Sequence, residues 1–219
     1  LRASGRTVRL GDYAAAALMA QAGRFAPPPD DPRHPLSGVA CGLHLPRVAH
    51  RRLLLQRARQ LGVIEPPACF VGAELGSAGQ VAAVRLDDGS RLPASLFIDA
   101  SGPAALLAGS LPSTTRLSWR HWLPCDCAVT TEQDSTVPPA PYGHVEKLAH
   151  GWRLQLPVQE GLSETLVYPS ASAIELPSGE CQTFEQGRLA EPWSANVVAI
   201  GGAAAVLEPQ QGLPFHLIQ

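Results

Sequence analysis

Asn196-Val-Val-Ala-Ile-Gly-Gly-Ala-Ala-Ala-Val-Leu-Glu-Pro-Gln-Gln-Gly-Leu-Pro-Phe-His-Leu-Ile-Gln219 is a β-branched apolar run that meets two glycines and three alanines. Glu208-Pro209, a glycine and a further apolar segment follow. The pattern predicts a strand that runs into a helix with little side chain at the junction. Glycines there let a phosphate-bearing cofactor approach the backbone, helped by the helix N-terminus. Taken alone, Gly201-Gly202 also suits simple tight packing of a strand on a helix.

A second stretch tips the balance. Leu96-Phe-Ile-Asp-Ala-Ser-Gly102 is a short apolar strand ending in Asp-x-x-Gly. Alone, it reads as an ordinary strand-to-turn junction. Beside the closing stretch it supplies a second glycine turn at a strand's carboxyl end, where open α/β sheets place their ligands. The expected fold class is therefore α/β.

Between these anchors the chain alternates in character. Residues 8–23 are alanine-rich and predict a helix. Residues 26–38, with Pro27, Pro28, Pro29, Pro32 and Pro35, predict an extended loop. Residues 46–61 predict a second helix, with Pro46 in its first turn, Gly62 as its stop and a buried stripe of Leu54, Ala58 and Leu61. Strands are expected at Phe70 to Leu75, at Val81 to Leu86 and at Arg91 to Leu96. The last two would form a hairpin around Asp87-Asp88-Gly89-Ser90. Pro103 to Ala108 would be a brief helix. Residues 112–180 are rich in Pro, Ser and Thr, and Trp152 to Pro157 and Leu166 to Tyr168 look like strands of another sheet.

Composition narrows the function classes. A net charge of −2 without a sustained basic stripe argues against nucleic-acid binding. Arg47, Arg51, Arg52, Arg57 and Arg59 cluster; on a helix they read as a solvated face, with a phosphate site as the alternative. No apolar run approaches the roughly 20 residues that span a bilayer. Five cysteines at irregular spacing argue against a disulfide framework, and Cys125-Asp126-Cys127 lacks zinc spacing. Free cysteines in a reducing cytoplasm are expected. His44 follows Gly42 and precedes Pro46, with no partner in view to make it a general base. The chain begins at Leu1 and stops at Gln219 inside what reads as a rising helix, so a piece of a longer polypeptide is expected.

With these motifs in place the chain resembles the flavin-dependent tryptophan halogenases. Their closing segment reads Asn-Val-Val-Ala-Ile-Gly, small residues, then Leu-Glu-Pro-Leu-Glu-Ser-Thr-Gly. Gly151-Trp152-Arg-Leu-Gln-Leu-Pro157 is similar to their Gly-Trp-x-Trp-x-Ile-Pro, with Leu154 in place of the second tryptophan. Leu123-Pro-Cys-Asp126, Pro141-Tyr142, Val167-Tyr168-x-Ser170, Phe184-x-x-Gly-Arg188 and Pro192-Trp193 occur in the family's order across residues 40–219.

The resemblance implies a partial FAD-binding domain, Rossmann-like and of the flavin monooxygenase type, with a β-rich substrate-domain insertion. Residues 1–110 and 191–219 would belong to the FAD-binding domain and 111–190 to the insertion. It implies reduced FAD supplied by a separate flavin reductase, O2, a small aromatic or indole substrate and, in the halogenating reading, halide. Carried over by position, Val71, Asp99, Gly102, Gly201, Gly202 and Phe215 are the cofactor-side residues. Trp152, Glu208 and Gln211 are substrate-side. Leu213 and Pro214 stand where the family's threonine and glycine hold halide.

Three departures accompany the resemblance. Gly5, Gly11 and Gly23 do not make a Gly-x-Gly-x-x-Gly fingerprint. The family's catalytic lysine has no match, since Lys147 lies in the insertion. Gln211 carries no charge where the family has glutamate, and Pro214 has no N–H to offer an anion. Two alternatives therefore stand beside the halogenating reading: a non-halogenating flavin monooxygenase, and a catalytically incompetent flavin-binding remnant.

Overall fold

A computed structural model of the chain describes residues 10–38, 41–134, 140–159, 161–172 and 177–208. It divides into two units. One comprises Leu1–Leu61, Thr131–Glu146 and Leu154–Glu164; the other comprises Gly62–Thr130, Lys147–Arg153 and Thr165–Gln219.

The first unit carries both α-helices of the described residues, α1 (Ala15–Gln21) and α2 (Arg47–Gln60). The alanine-rich stretch yields only α1, preceded by a 3-10 turn over Leu10–Tyr13. Its N-cap is Ala14, whose side chain makes no capping bond, so the helix starts late and stays short. Helix α2 matches its expected span, with Pro46 as the N-cap residue rather than inside the first turn. Its expected buried stripe is corrected: Leu54 is 54% and Leu61 67% exposed. Leu53, Leu54 and Leu55 are consecutive and fan around the helix, with arginines among them, so they do not share one face.

The second unit begins as a meander of β1 (Phe70–Leu75), β2 (Val81–Leu86) and β3 (Arg91–Pro93), all antiparallel. The hairpin turn is built as its sequence predicts. Asp88 accepts the Ser90 N–H at 2.8 Å, and the Leu86 N–H reaches the Ser90 carbonyl at 3.0 Å.

Strand β4 (Phe97–Asp99) then finds a partner far along the chain. Strands β5 (Arg116–Ser118), β6 (Cys127–Asp134), β7 (His144–Leu148), β8 (Gly151–Val158), β9 (Gly161–Tyr168), β10 (Glu180–Thr183), β11 (Gly187–Leu189) and β12 (Trp193–Ser194) lead to β13 (Val197–Ala199). Strand β13 lies parallel to β4, pairing Val197 with Phe97, Val198 with Ile98 and Ala199 with Asp99. Parallel neighbours need a crossover, and here residues 100–196 supply it. Strands β6 to β10 form a five-stranded sheet in the order β10-β6-β9-β8-β7.

Asn196 joins two of these layers. Its amide donates to the Val81 carbonyl and accepts the Val81 N–H, both at 2.9 Å. Around it lies the main core of the second unit, with Val81, Phe97, Leu107, Leu111, Leu189, Val197 and Ala203 all buried. Each fully buried large aliphatic or aromatic side chain contributes roughly 1.5–3 kcal/mol.

Two local expectations are corrected here. Pro103 to Ala108 is no helix. It forms 3-10 turns at Gly102–Ala104 and Ala108–Ser110, separated by Ala105 in the left-handed conformation at φ 44°. Nor does a helix follow Gly201-Gly202 directly. A 3-10 turn spans Gly201–Ala203, then β14 (Ala205–Val206) pairs with β11 through Val206 to Gly187 and Ala205 to Arg188. Sheet pairing overrides the helical propensity of the alanines. Among the described residues the fold is mixed, with several β-sheets and few helices, where an α/β class with a β-rich insertion was expected.

Candidate functional site

The parallel pair β4–β13 places two turns side by side at its carboxyl edge. The first is governed by Asp99, 3% exposed. One carboxylate oxygen accepts the Ser101 N–H at 2.9 Å and the Ser101 hydroxyl at 2.6 Å. The other accepts the Leu107 and Ala108 N–H groups at 3.0 and 2.7 Å. Burial pushes this carboxyl upward, and the Ala108, Ser101 and Leu107 donors more than offset it, holding it below its ordinary 3.8. The charge is thus spent on shaping the loop.

The second turn follows β13. Gly102 and Gly201 both have positive φ, 78° and 57°. A Cβ on Gly202 would lie 3.2 Å from the Gly102 Cα and 3.3 Å from the Pro103 Cδ, so the two turns touch backbone to backbone. A Cβ on Gly102 would meet nothing within 4 Å, so that side of the turn is open. The structure therefore brings together Asp99, Gly102, Gly201 and Gly202. Val71 lies on β1 in the meander, 55% exposed.

A second cluster surrounds Glu208, just beyond β14. The Trp152 indole Nε1–H, on β8, donates to Glu208 Oε2 at 2.9 Å. Gln186, 2% exposed, donates from Nε2 to the Cys125 carbonyl at 2.7 Å, to the Leu123 carbonyl at 3.2 Å and to Glu208 Oε1 at 3.5 Å. Its Oε1 is buried without a partner among the described residues. Burial pushes the Cys125 thiol up to about 11, and the Glu208 charge, its hydrogen bond with that carboxylate, and Asp126 act in the same direction. Trp152 and Phe184 pack on Cys125, Ala128 and Val167. Gln186 escaped the sequence reading; its only mark there is its place before Gly187-Arg188.

The other expected residues are placed as follows. Gln211, Leu213, Pro214 and Phe215 lie outside the described residues. Lys147 is exposed on β7. His44 Nδ1 is 2.7 Å from the Pro157 carbonyl, a structural hydrogen bond. All five cysteines are free, and no group of metal-ligating side chains occurs among the described residues. No helix among them is long and apolar enough to cross a membrane.

Comparison with known proteins matches residues 1–219 to the family model for tryptophan halogenase. The chain belongs to the tryptophan halogenase family. Among its relatives is tryptophan 7-halogenase KtzQ of Kutzneria sp. (strain 744), 29% identical over 177 residues, covering 72% of this chain and 33% of KtzQ. Among solved structures, BrvH, a flavin-dependent halogenase from Brevundimonas sp. BAL3, superposes with a TM-score of 0.88 at 29% identity over 99% of this chain and 48% of BrvH. Xcc4156, a flavin-dependent halogenase from Xanthomonas campestris, gives a TM-score of 0.88 at 27% identity over the whole chain and 46% of Xcc4156. The chain thus spans less than half the length of these halogenases.

Membership in a flavin-dependent halogenase family implies FAD. The residues present fit one edge of it. The turn at Gly102 is open and free of side chain, at the strand end where such folds bind cofactors. The glycine fingerprint that would hold the pyrophosphate is not in the sequence.

Proposed function

We propose that this halogenase-family chain forms part of an FAD-dependent enzyme that oxidises a small aromatic or indole substrate with reduced FAD and O2. The observation that carries the reading is the junction of the Asp99–Gly102 and Gly201–Gly202 turns at the carboxyl edge of β4 and β13. Bound reduced flavin, delivered by a separate reductase, would supply the oxygen-activating chemistry.

The chain's own residues would act by position. Asp99 fixes the loop through its four donors, and Gly102 and Gly201 keep side chains away from the cofactor. Val71 and Phe215 would flank the cofactor, as their counterparts do in the family. Trp152, with Glu208 and Gln211, would face the aromatic substrate.

Leu213 and Pro214 favour a second reading of the same site, oxidation without halide. A proline N cannot donate to an anion, and leucine replaces a hydroxyl. The halogenating and non-halogenating readings part in one assay. The enzyme containing this chain is supplied with reduced FAD, O2 and an indole, with and without bromide, and products are weighed by mass spectrometry. A hydroxylated product independent of bromide supports the second reading; a brominated product overturns it. A remnant reading requires no product under either condition while FAD still binds.

With one edge of the cofactor site in the sequence, the 219-residue chain alone is expected to bind FAD weakly. Stoichiometric binding at micromolar concentration in a spectral titration would contradict this.

A further inference from the structure

Four side chains from separated stretches meet in the second unit: Cys125 before β6, Trp152 on β8, Gln186 before β11 and Glu208 after β14. The Glu208 carboxylate is the common acceptor. Its hydrogen-bond partners among the described residues are neutral: the Trp152 indole at 2.9 Å and the Gln186 amide at 3.5 Å. Gln186 is itself anchored on the carbonyls of Leu123 and Cys125. The carboxylate is therefore steadied on one side and grips an indole on the other.

We propose that Glu208 is a positioning residue that fixes the orientation of the Trp152 indole, with Gln186 steadying the carboxylate. The inference rests on the reading of Trp152 as substrate-side and adds to it the device that holds the ring. An indole has two rotatable side-chain bonds. One edge of Trp152 packs in the Cys125–Ala128–Val167 core, and a charge-assisted bond at Nε1 removes the remaining freedom. Glu208 follows the Gly201–Ala203 turn by five residues through β14. The segment that carries the cofactor-side turn therefore also carries the group that orients the aromatic platform.

The test uses the full 219-residue chain labelled with 15N at its four indoles, the Trp152 signal being assigned by its loss in Trp152→Phe. In the native chain, the Trp152 Nε1–H signal is expected downfield of the other three and slow to exchange with solvent. Glu208→Leu should speed that exchange by about tenfold or more, the equivalent of one charge-assisted hydrogen bond. Glu208→Gln, which keeps an acceptor oxygen, should restore most of the protection. The signals of Trp119, Trp122 and Trp193 report that each variant is folded. Free indole is then titrated as the probe. It should shift the Trp152 signal in the native chain and in Glu208→Gln, and at least about fivefold more weakly in Glu208→Leu.

Unchanged exchange in a folded Glu208→Leu overturns the inference. So does an equal response to indole in the native and Leu chains, which leaves the reading of the site intact. No response to indole in any chain removes the substrate-side reading of Trp152, and the inference falls with it.

Discussion

At the scale of single residues, two buried ionisable groups carry opposite consequences. Asp99 remains charged because four donors compensate its burial. Asp99→Asn keeps one acceptor oxygen and turns an NH2 toward backbone N–H groups. It should cost on the order of 2–4 kcal/mol, read from denaturant unfolding; a loss under 1 kcal/mol would contradict the network. The pH dependence has a definite sign. The folded carboxyl lies below the ordinary 3.8, so its stabilisation is present above that value and lost as pH falls below it. Asp99→Asn should flatten the acid limb of a Tm-against-pH curve. Cys125 runs the other way: its thiol rises from 9.0 to about 11, so the fold should lose stability as pH climbs through that interval. At pH 8, iodoacetamide should modify the exposed Cys41, Cys69 and Cys181 and spare the buried Cys125 and Cys127, as read by peptide mass spectrometry. Rapid labelling of Cys125 would place it outside the core.

At the scale of elements, the two touching turns invite a direct test. A Cβ on Gly202 would crowd backbone and a proline ring, which yield little. Gly202→Ala should therefore destabilise by about 1–3 kcal/mol. Helix α2 makes the complementary prediction. With Leu54 more than half exposed, Leu54→Ser should change the stability of this chain by no more than about 0.5 kcal/mol; a loss of 2 kcal/mol would restore the buried stripe. These elements also show what was legible in the sequence. Strands β1 and β2, helix α2 and the Asp87–Ser90 turn were readable because local propensity and turn chemistry agree with the fold. Strand β14 was not, because Ala205-Val206 becomes extended only by pairing with β11, which no neighbouring residue encodes. Asp99 was visible as a motif, but its bonds to Leu107 and Ala108 depend on a loop broken at Ala105. Gln186 left no local trace beyond its place before Gly187-Arg188, since its amide is fixed by carbonyls some sixty residues away in sequence.

At the scale of the whole molecule, the chain has the fold of flavin-dependent halogenases over less than half their length. That part includes the paired glycine turns and the Trp152–Glu208 contact, and both hang on one continuous segment, residues 197–208. In the proposed function, the β4–β13 carboxyl edge is the face that meets the flavin. Mapping the backbone amide shifts of the 219-residue chain as FAD is added tests it most directly. Weak binding is expected, with the largest shifts at Ser101, Gly102 and Ala104 and at residues 200–203. Saturating FAD that leaves those amides unmoved while shifting others would contradict it.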